Sequence, residues 1–97
     1  MKVECPLCDS HATREFDDPT STFHFDCEKC GEYKFYEILF TTMRAAQHWE
    51  QTRKRLAEAL SKPGVVKDRV FEEEIDIVAA IGDYDRAIQE EALQRGE

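Results

Sequence analysis

The sequence has little of what marks the larger classes of protein. Its 97 residues include only four glycines and three prolines, which excludes collagen-like and low-complexity chains. No run approaches the roughly 18 apolar residues of a membrane-spanning helix, and the N-terminal segment lacks the apolar core of an export signal. There is no glycine-rich phosphate loop, and no spacing indicates a catalytic triad or a carboxylate pair. Because so short a chain cannot build a deep catalytic cleft, we expect a non-enzymatic protein without a small-molecule substrate.

Positive charge is also scarce. The sequence has 13 basic and 21 acidic residues, for a net charge of -8. This balance argues against a protein whose whole surface binds nucleic acid or anionic lipid. The charge is uneven, with -4 in residues 1–36, +3 in residues 37–67 and -7 in residues 68–97. The chain is 41% apolar and 35% charged, a composition typical of a globular protein. From this composition we expect a folded protein, and from the missing export signal and membrane span we expect it to be cytoplasmic and not to bind membranes.

The four cysteines form two pairs with two residues between the members of each pair. Cys5 and Cys8 flank Pro6-Leu7, Cys27 and Cys30 flank Glu28-Lys29, and 18 residues separate the pairs. Two tight turns of this kind can direct four sulfurs toward one tetrahedral metal ion. In a reducing compartment such cysteines bind a metal more often than they form disulfides. A dithiol redox site at the first pair is the other alternative, but no βαβ pattern surrounds it.

The predicted ligands are therefore Cys5, Cys8, Cys27 and Cys30. Closed sites of four sulfurs favour zinc, with iron as the alternative that uses the same ligands. Four thiolates leave no coordination position open for water, so we expect one structural ion and no hydrolytic chemistry.

Residues 5–36 resemble a zinc ribbon, a three-stranded β module with two cysteine turns. In the second turn Gly31 follows Cys30, where a left-handed backbone is common; in the first, Asp9 follows Cys8, a less usual residue for that conformation. The resemblance covers about a third of the chain. It implies a fold and a structural metal site, and it implies no substrate.

Residue alternation supports the strands of this module. Residues 12–18, 23–26 and 33–36 follow the two-residue period of half-exposed strands, and the Pro19-Thr20-Ser21-Thr22 cluster between the first two predicts a hairpin turn.

From about Thr41 the apolar period becomes helical. A first amphipathic helix is predicted to begin at Thr41 or Thr42 and to end before Pro63-Gly64. A second helix is predicted from Val66 onward, broken or kinked near Gly82. The fold class is thus α+β: a zinc-ribbon module in residues 1–36, then an antiparallel two-helix hairpin in residues 37–97, packed on it as one compact domain.

The acidic second helix is the main candidate for function. We expect it to bind a protein partner or a second copy of the chain. The candidate contact residues are Glu72, Glu73, Glu74, Asp76 and the single tryptophan, Trp49. An alternative is a nucleic-acid-binding ribbon that contacts phosphates through Arg53, Lys54 and Arg55. A further alternative is an acidic inhibitor of a nucleic-acid-binding protein.

Overall fold

The computed structural model describes residues 1–94, in which a five-stranded sheet packs with three helices. The strands lie side by side in chain order: β1 (Lys2–Glu4), β2 (His11–Asp17), β3 (Thr22–Cys27), β4 (Gly31–Tyr36) and β5 (Val70–Phe71). The helices are α1 (Glu37–Ala45), α2 (Trp49–Ser61) and α3 (Glu74–Gln94). The mixed α+β class is confirmed.

The first four strands form an antiparallel meander. Phe25 of β3 lies opposite Tyr33 of β4, and both side chains are 1% exposed. Asp26, between the buried Phe25 and Cys27 in β3, is exposed. The three strands predicted from alternation are confirmed, since β2, β3 and β4 match them within two residues at each end. The short β1 was not predicted, and it pairs with β2 immediately before the first cysteine.

Two helices form where a single first helix was predicted. Helix α1 begins directly after β4, at Glu37, so Thr41 and Thr42 lie inside it and the predicted N-cap is wrong. The chain then takes an extended conformation at Ala46 before α2 begins at Trp49. On either side of this break, at the exposed Ala46, each helix buries its own set of side chains: Leu39, Phe40 and Met43 in α1, and Leu56, Ala57, Ala59 and Leu60 in α2. The predicted end of the helix before Pro63 is confirmed.

The predicted antiparallel helical hairpin is wrong. Strand β5 lies between α2 and α3 in the chain, and it pairs in parallel with β4 through Phe35 and Phe71. A parallel partner requires a crossover connection, which α1 and α2 provide. Residues 66–69 have no regular secondary structure, although a helix was predicted from Val66 onward. The side chain of Val66 is nevertheless buried.

The directions of the helices follow from this crossover. Arg55 of α2 pairs with Asp85 of α3, and Lys62, directly after α2, pairs with Glu91 further along α3. The contacts advance in the same direction on both helices, so α2 and α3 run parallel. Helix α3 also continues without interruption through Gly82, contrary to the predicted break.

Aromatic side chains fix the helices to the sheet. Phe40 of α1 lies 5.5 Å from the ring of Phe35 and 5.6 Å from that of Phe25, centroid to centroid. Burial of one large apolar side chain stabilises a fold by about 1.5–3 kcal/mol. The buried cluster includes residues from both sides of position 36. The predicted division of the chain at this position stays a prediction. Residues 95–97, which belong to the second predicted part, lie outside the described residues. Within residues 1–94, no helix has the length and apolar character needed to cross a membrane.

Candidate metal centre

Both cysteine pairs lie in turns at the same end of the sheet. The first turn connects β1 to β2, where the N–H of Cys5 donates to the carbonyl of Ser10 at 2.7 Å and the N–H of Asp9 donates to the carbonyl of Cys5 at 2.9 Å. The second connects β3 to β4, where Cys27 lies opposite Gly31. Since Cys27 also lies opposite Ala12 of β2, strand register brings the two turns together.

The backbone after each cysteine pair is left-handed. Asp9 has a φ of 65° and Gly31 a φ of 82°. This conformation closes each turn so that both of its sulfurs point inward, and it suits glycine best because glycine has no Cβ. The predicted geometry after Cys8 and Cys30 is confirmed.

The four sulfur atoms converge. Those of Cys5, Cys8, Cys27 and Cys30 all lie within 4.8 Å of one another. Three of these cysteines are buried and Cys8 is partly exposed. Zn–S bonds of about 2.3 Å in a tetrahedron require sulfur–sulfur separations of roughly 3.8 Å. The cluster therefore fits one four-coordinate metal ion, consistent with a zinc-binding module.

Tyr33 contributes a hydroxyl group to the cluster. Its oxygen lies 3.0 Å from the sulfur of Cys5, and the side chain is buried. Burial is the largest of the effects that raise the pKa of Tyr33, so its hydroxyl stays protonated and can donate to a thiolate. A hydrogen bond from Cys30, reinforced by the one from Tyr33, lowers the pKa of the Cys5 thiol to about 4.

The other sulfurs experience the opposite effect. Burial raises the pKa of Cys27 to about 11, and the hydrogen bond with Cys5, together with burial, raises the pKa of Cys30. Several negative charges at such a site repel one another in a poorly solvated environment. Four thiolates together therefore require a compensating cation, which is what a divalent metal ion supplies.

Arg53 connects α2 to the first cysteine turn. It donates to the carbonyl of Leu7 at 2.9 Å and lies 3.3 Å from the carboxylate of Asp9. It also forms a bidentate ion pair with Glu50, which lowers the pKa of that carboxyl. Only 13% of the Arg53 side chain is exposed. The Arg53 side chain therefore makes its contacts within the molecule, and little of its guanidinium surface is available to a phosphate.

Arg69 plays the equivalent part at the second cysteine turn. Its Nη1 donates to the carbonyl of Cys30 at 2.6 Å, and its Nη2 donates to the carbonyl of Leu60 near the end of α2 at 2.8 Å. Its own carbonyl accepts the N–H of Lys34 at 2.8 Å. Each cysteine turn is therefore held by one arginine, which donates to a backbone carbonyl of that turn.

The two other residues of the predicted basic patch differ in their surroundings. Arg55 pairs with Asp85 at 2.6 Å, and Lys54 lies 3.9 Å from Glu50. Both side chains are more than half exposed. The patch is thus partly neutralised by carboxylates of the same chain.

The predicted partner-binding residues do not form one cluster. Glu72, Glu73 and Glu74 are exposed at the start of α3. Asp76 faces back toward them and accepts hydrogen bonds from the N–H groups of Glu72 and Glu73, each at 3.0 Å, which caps the helix. Trp49 packs edge-on against Phe40 with its ring centroid 6.5 Å away, so it belongs with the core.

Sequence reasoning missed Arg69 and the sulfur contact of Tyr33, and it assigned Arg53 to a different role. Alternation predicted only that Tyr33 would face inward. For Arg69 the sequence carries no signal, because its partners depend on the parallel pairing of β5 with β4. Comparisons with protein-family models, with curated proteins and with solved structures found no match for this chain.

Proposed function

We propose that the protein is a non-enzymatic module that binds one structural zinc ion and offers its acidic helical surface to a protein partner. The observation that carries the metal assignment is the convergence of four cysteine sulfurs within 4.8 Å. Zinc is preferred over iron because closed tetrahedral sulfur sites are typical of structural zinc. The bound ion would be held by all four sulfurs, which leaves it no open position for substrate.

The partner role is supported by the placement of charge. Glu72, Glu73 and Glu74 are exposed and carry no ion pair among residues 1–94. By contrast, Arg53 and Arg55 are engaged by carboxylates of this chain. The exposed charge offered to other molecules near α3 is therefore negative, which favours a basic protein surface over nucleic acid.

Elemental analysis of the purified protein tests the metal assignment. We expect one zinc per chain, and we expect Cys27→Ser to lose the metal and to unfold the cysteine-bearing strands, because binding energy supplies folding energy. Stoichiometric iron would replace zinc in the assignment. Retained metal and fold in the Cys27→Ser variant would contradict the four-cysteine site.

Light scattering combined with affinity capture tests the partner role. We expect self-association or a stoichiometric protein partner that is lost when Glu72, Glu73 and Glu74 are replaced together by lysine. A strictly monomeric protein that captures no partner would contradict this role. A gel-shift titration over salt tests the nucleic-acid alternative, since phosphate contacts are strongest at low salt.

A further inference from the structure

An open groove of about 640 Å³ lies between residues 64–70 and helix α3. Its apolar lining comes from valines on one wall and alanines on the other. These are Val65, Val66, Val70, Ala79, Ala80 and Ala87. Val66 and Ala80 are 5% and 3% exposed, so they form the floor of the groove.

A row of carboxylates lies along the helical wall of this groove. Asp76, Asp83 and Glu90 all line it and follow one another at intervals of seven residues. Seven residues span two helical turns, so the carboxylates lie on one side of α3 about 10.5 Å apart. Asp68 adds a fourth carboxylate from the other wall, against the two cationic side chains Lys67 and Arg86. The lining is therefore both apolar and net negative.

The spacing of the row indicates what kind of ligand would fit. Within residues 1–94 the only donor atoms close enough together to bind a metal ion are the four cysteine sulfurs, so the carboxylates are too dispersed for a cation site. Three residues of a polyproline II chain rise about 9.3 Å and return a side chain to the same side, which is close to this spacing, whereas every third side chain of a β-strand would face the opposite way. A row of cationic side chains on a peptide in the polyproline II conformation would match it, and small apolar side chains between them would meet the valines and alanines.

We propose that this groove binds a peptide segment of a protein partner in the polyproline II conformation, in which Lys or Arg recurs at about every third position, with apolar residues between. The inference rests on the proposed function and names the surface and the chemistry of the partner. Asp83 and Glu90 are its main charged contacts. Asp76 already caps α3, and Asp68 already accepts the N–H of Val70 at 3.2 Å. Asp83 lies 3.7 Å from Arg86, but this ion pair is exposed and weak, so a cation of the peptide can replace Arg86 there.

The test uses zinc-loaded protein and a fluorescein-labelled peptide of repeating Lys-Val-Ala units, measured by fluorescence anisotropy. A peptide with Glu in place of Lys is the negative control. We expect the Lys peptide to bind and the Glu peptide not to bind. In the Asp83→Lys, Glu90→Lys double variant, affinity for the Lys peptide should fall at least about tenfold, because two attractions become repulsions.

Two further variants separate the groove from general charge. Glu15→Lys with Glu58→Lys changes net charge equally at exposed positions outside the groove, and should weaken binding less than about threefold because solvent screens distant charges. Ala87→Trp fills the groove without changing charge and should abolish binding while zinc content and circular dichroism stay unchanged. Equal weakening by both double lysine variants, or normal binding by Ala87→Trp, would overturn the groove assignment.

The result can be distinguished from failure of the proposed function. If a captured partner depends on Glu72–Glu74 but binds Ala87→Trp normally, the interaction role stands and the groove assignment fails. If the Lys peptide binds the groove but no protein partner exists, the groove is an accessible peptide site and the adaptor role fails.

Discussion

The guanidinium of Arg69 packs against the Cα of Gly31 at the second cysteine turn, where a side chain on Gly31 would crowd it. A Cβ on Gly31 would lie 3.1 Å from Nη1 of Arg69, the same atom that donates to the carbonyl of Cys30. Gly31 also has a left-handed φ of 82°. The position therefore disfavours other residues for two reasons, the strain of a left-handed backbone and the close approach of the guanidinium, which would have to shift.

Replacement of Gly31 by alanine should separate these two effects when it is compared with Gly64→Ala. Gly64 has a similar φ of 77°, but no atom lies within 4 Å of its added Cβ. Both variants should lose about 1–2 kcal/mol from left-handed strain. Gly31→Ala should lose about 1 kcal/mol more and should also bind zinc more weakly, since Arg69 must move. Urea denaturation and chelator competition measure the two quantities. Equal zinc affinity in the two variants would contradict the coupling of Gly31 to Arg69.

Arg69→Met should weaken zinc binding without touching a ligand. The substitution keeps an unbranched chain but removes the hydrogen bonds to Cys30 and Leu60, leaving partly buried carbonyls without a donor at a cost of about 1–3 kcal/mol. Loss of a contact that orients metal ligands typically costs tenfold to hundredfold in affinity. Competition with a chromogenic zinc chelator measures this effect.

Arg86→Met is the matched control. Arg86 is 70% exposed, and its ion pair with Asp83 is 3.7 Å long, so its removal should leave zinc affinity unchanged. A similar loss of zinc affinity in both variants would show that net charge, and not the hydrogen bond from Arg69 to the Cys30 carbonyl, affects metal binding.

These contacts also show how far the sequence could be interpreted. The cysteine turns and strands β2 to β4 were predictable because their signals are local: two-residue spacing between cysteines and alternation of aromatic residues. Arg69 contacts Cys30 across 39 positions of the chain, and that contact exists only because β5 lies in parallel beside β4. Helical periodicity in residues 66–88 could not reveal this, because Val66 and Val70 fit a helical stripe and an extended segment equally well.

Gly82→Ala distinguishes the predicted broken helix from the continuous one. Gly82 lies inside α3, and an added Cβ would meet no atom within 4 Å. Alanine in a helix interior is more favourable than glycine by roughly 0.5–1 kcal/mol, so the variant should be stabilised by about that amount. Thermal unfolding of the zinc-loaded protein measures the change. A lower melting temperature would indicate that the backbone at Gly82 leaves the helical conformation, as a break would require.

Tyr33→Phe tests whether the hydroxyl beside Cys5 acts on the metal centre. The ring packs parallel to Phe25 at 5.1 Å, and phenylalanine should keep this contact while it removes the hydrogen bond to the Cys5 sulfur. One such bond is worth about 1 kcal/mol, so zinc affinity should fall about fivefold. In cobalt-substituted protein the sulfur-to-metal charge-transfer band should move to lower energy, because the Cys5 thiolate loses a hydrogen-bond donor.

Tyr36→Phe is the control. Tyr36 lies at the opposite end of β4 from the second cysteine turn, so its substitution should change neither the zinc affinity nor the energy of the band. An unchanged band in Tyr33→Phe would mean that the hydroxyl does not donate to the thiolate once metal is bound.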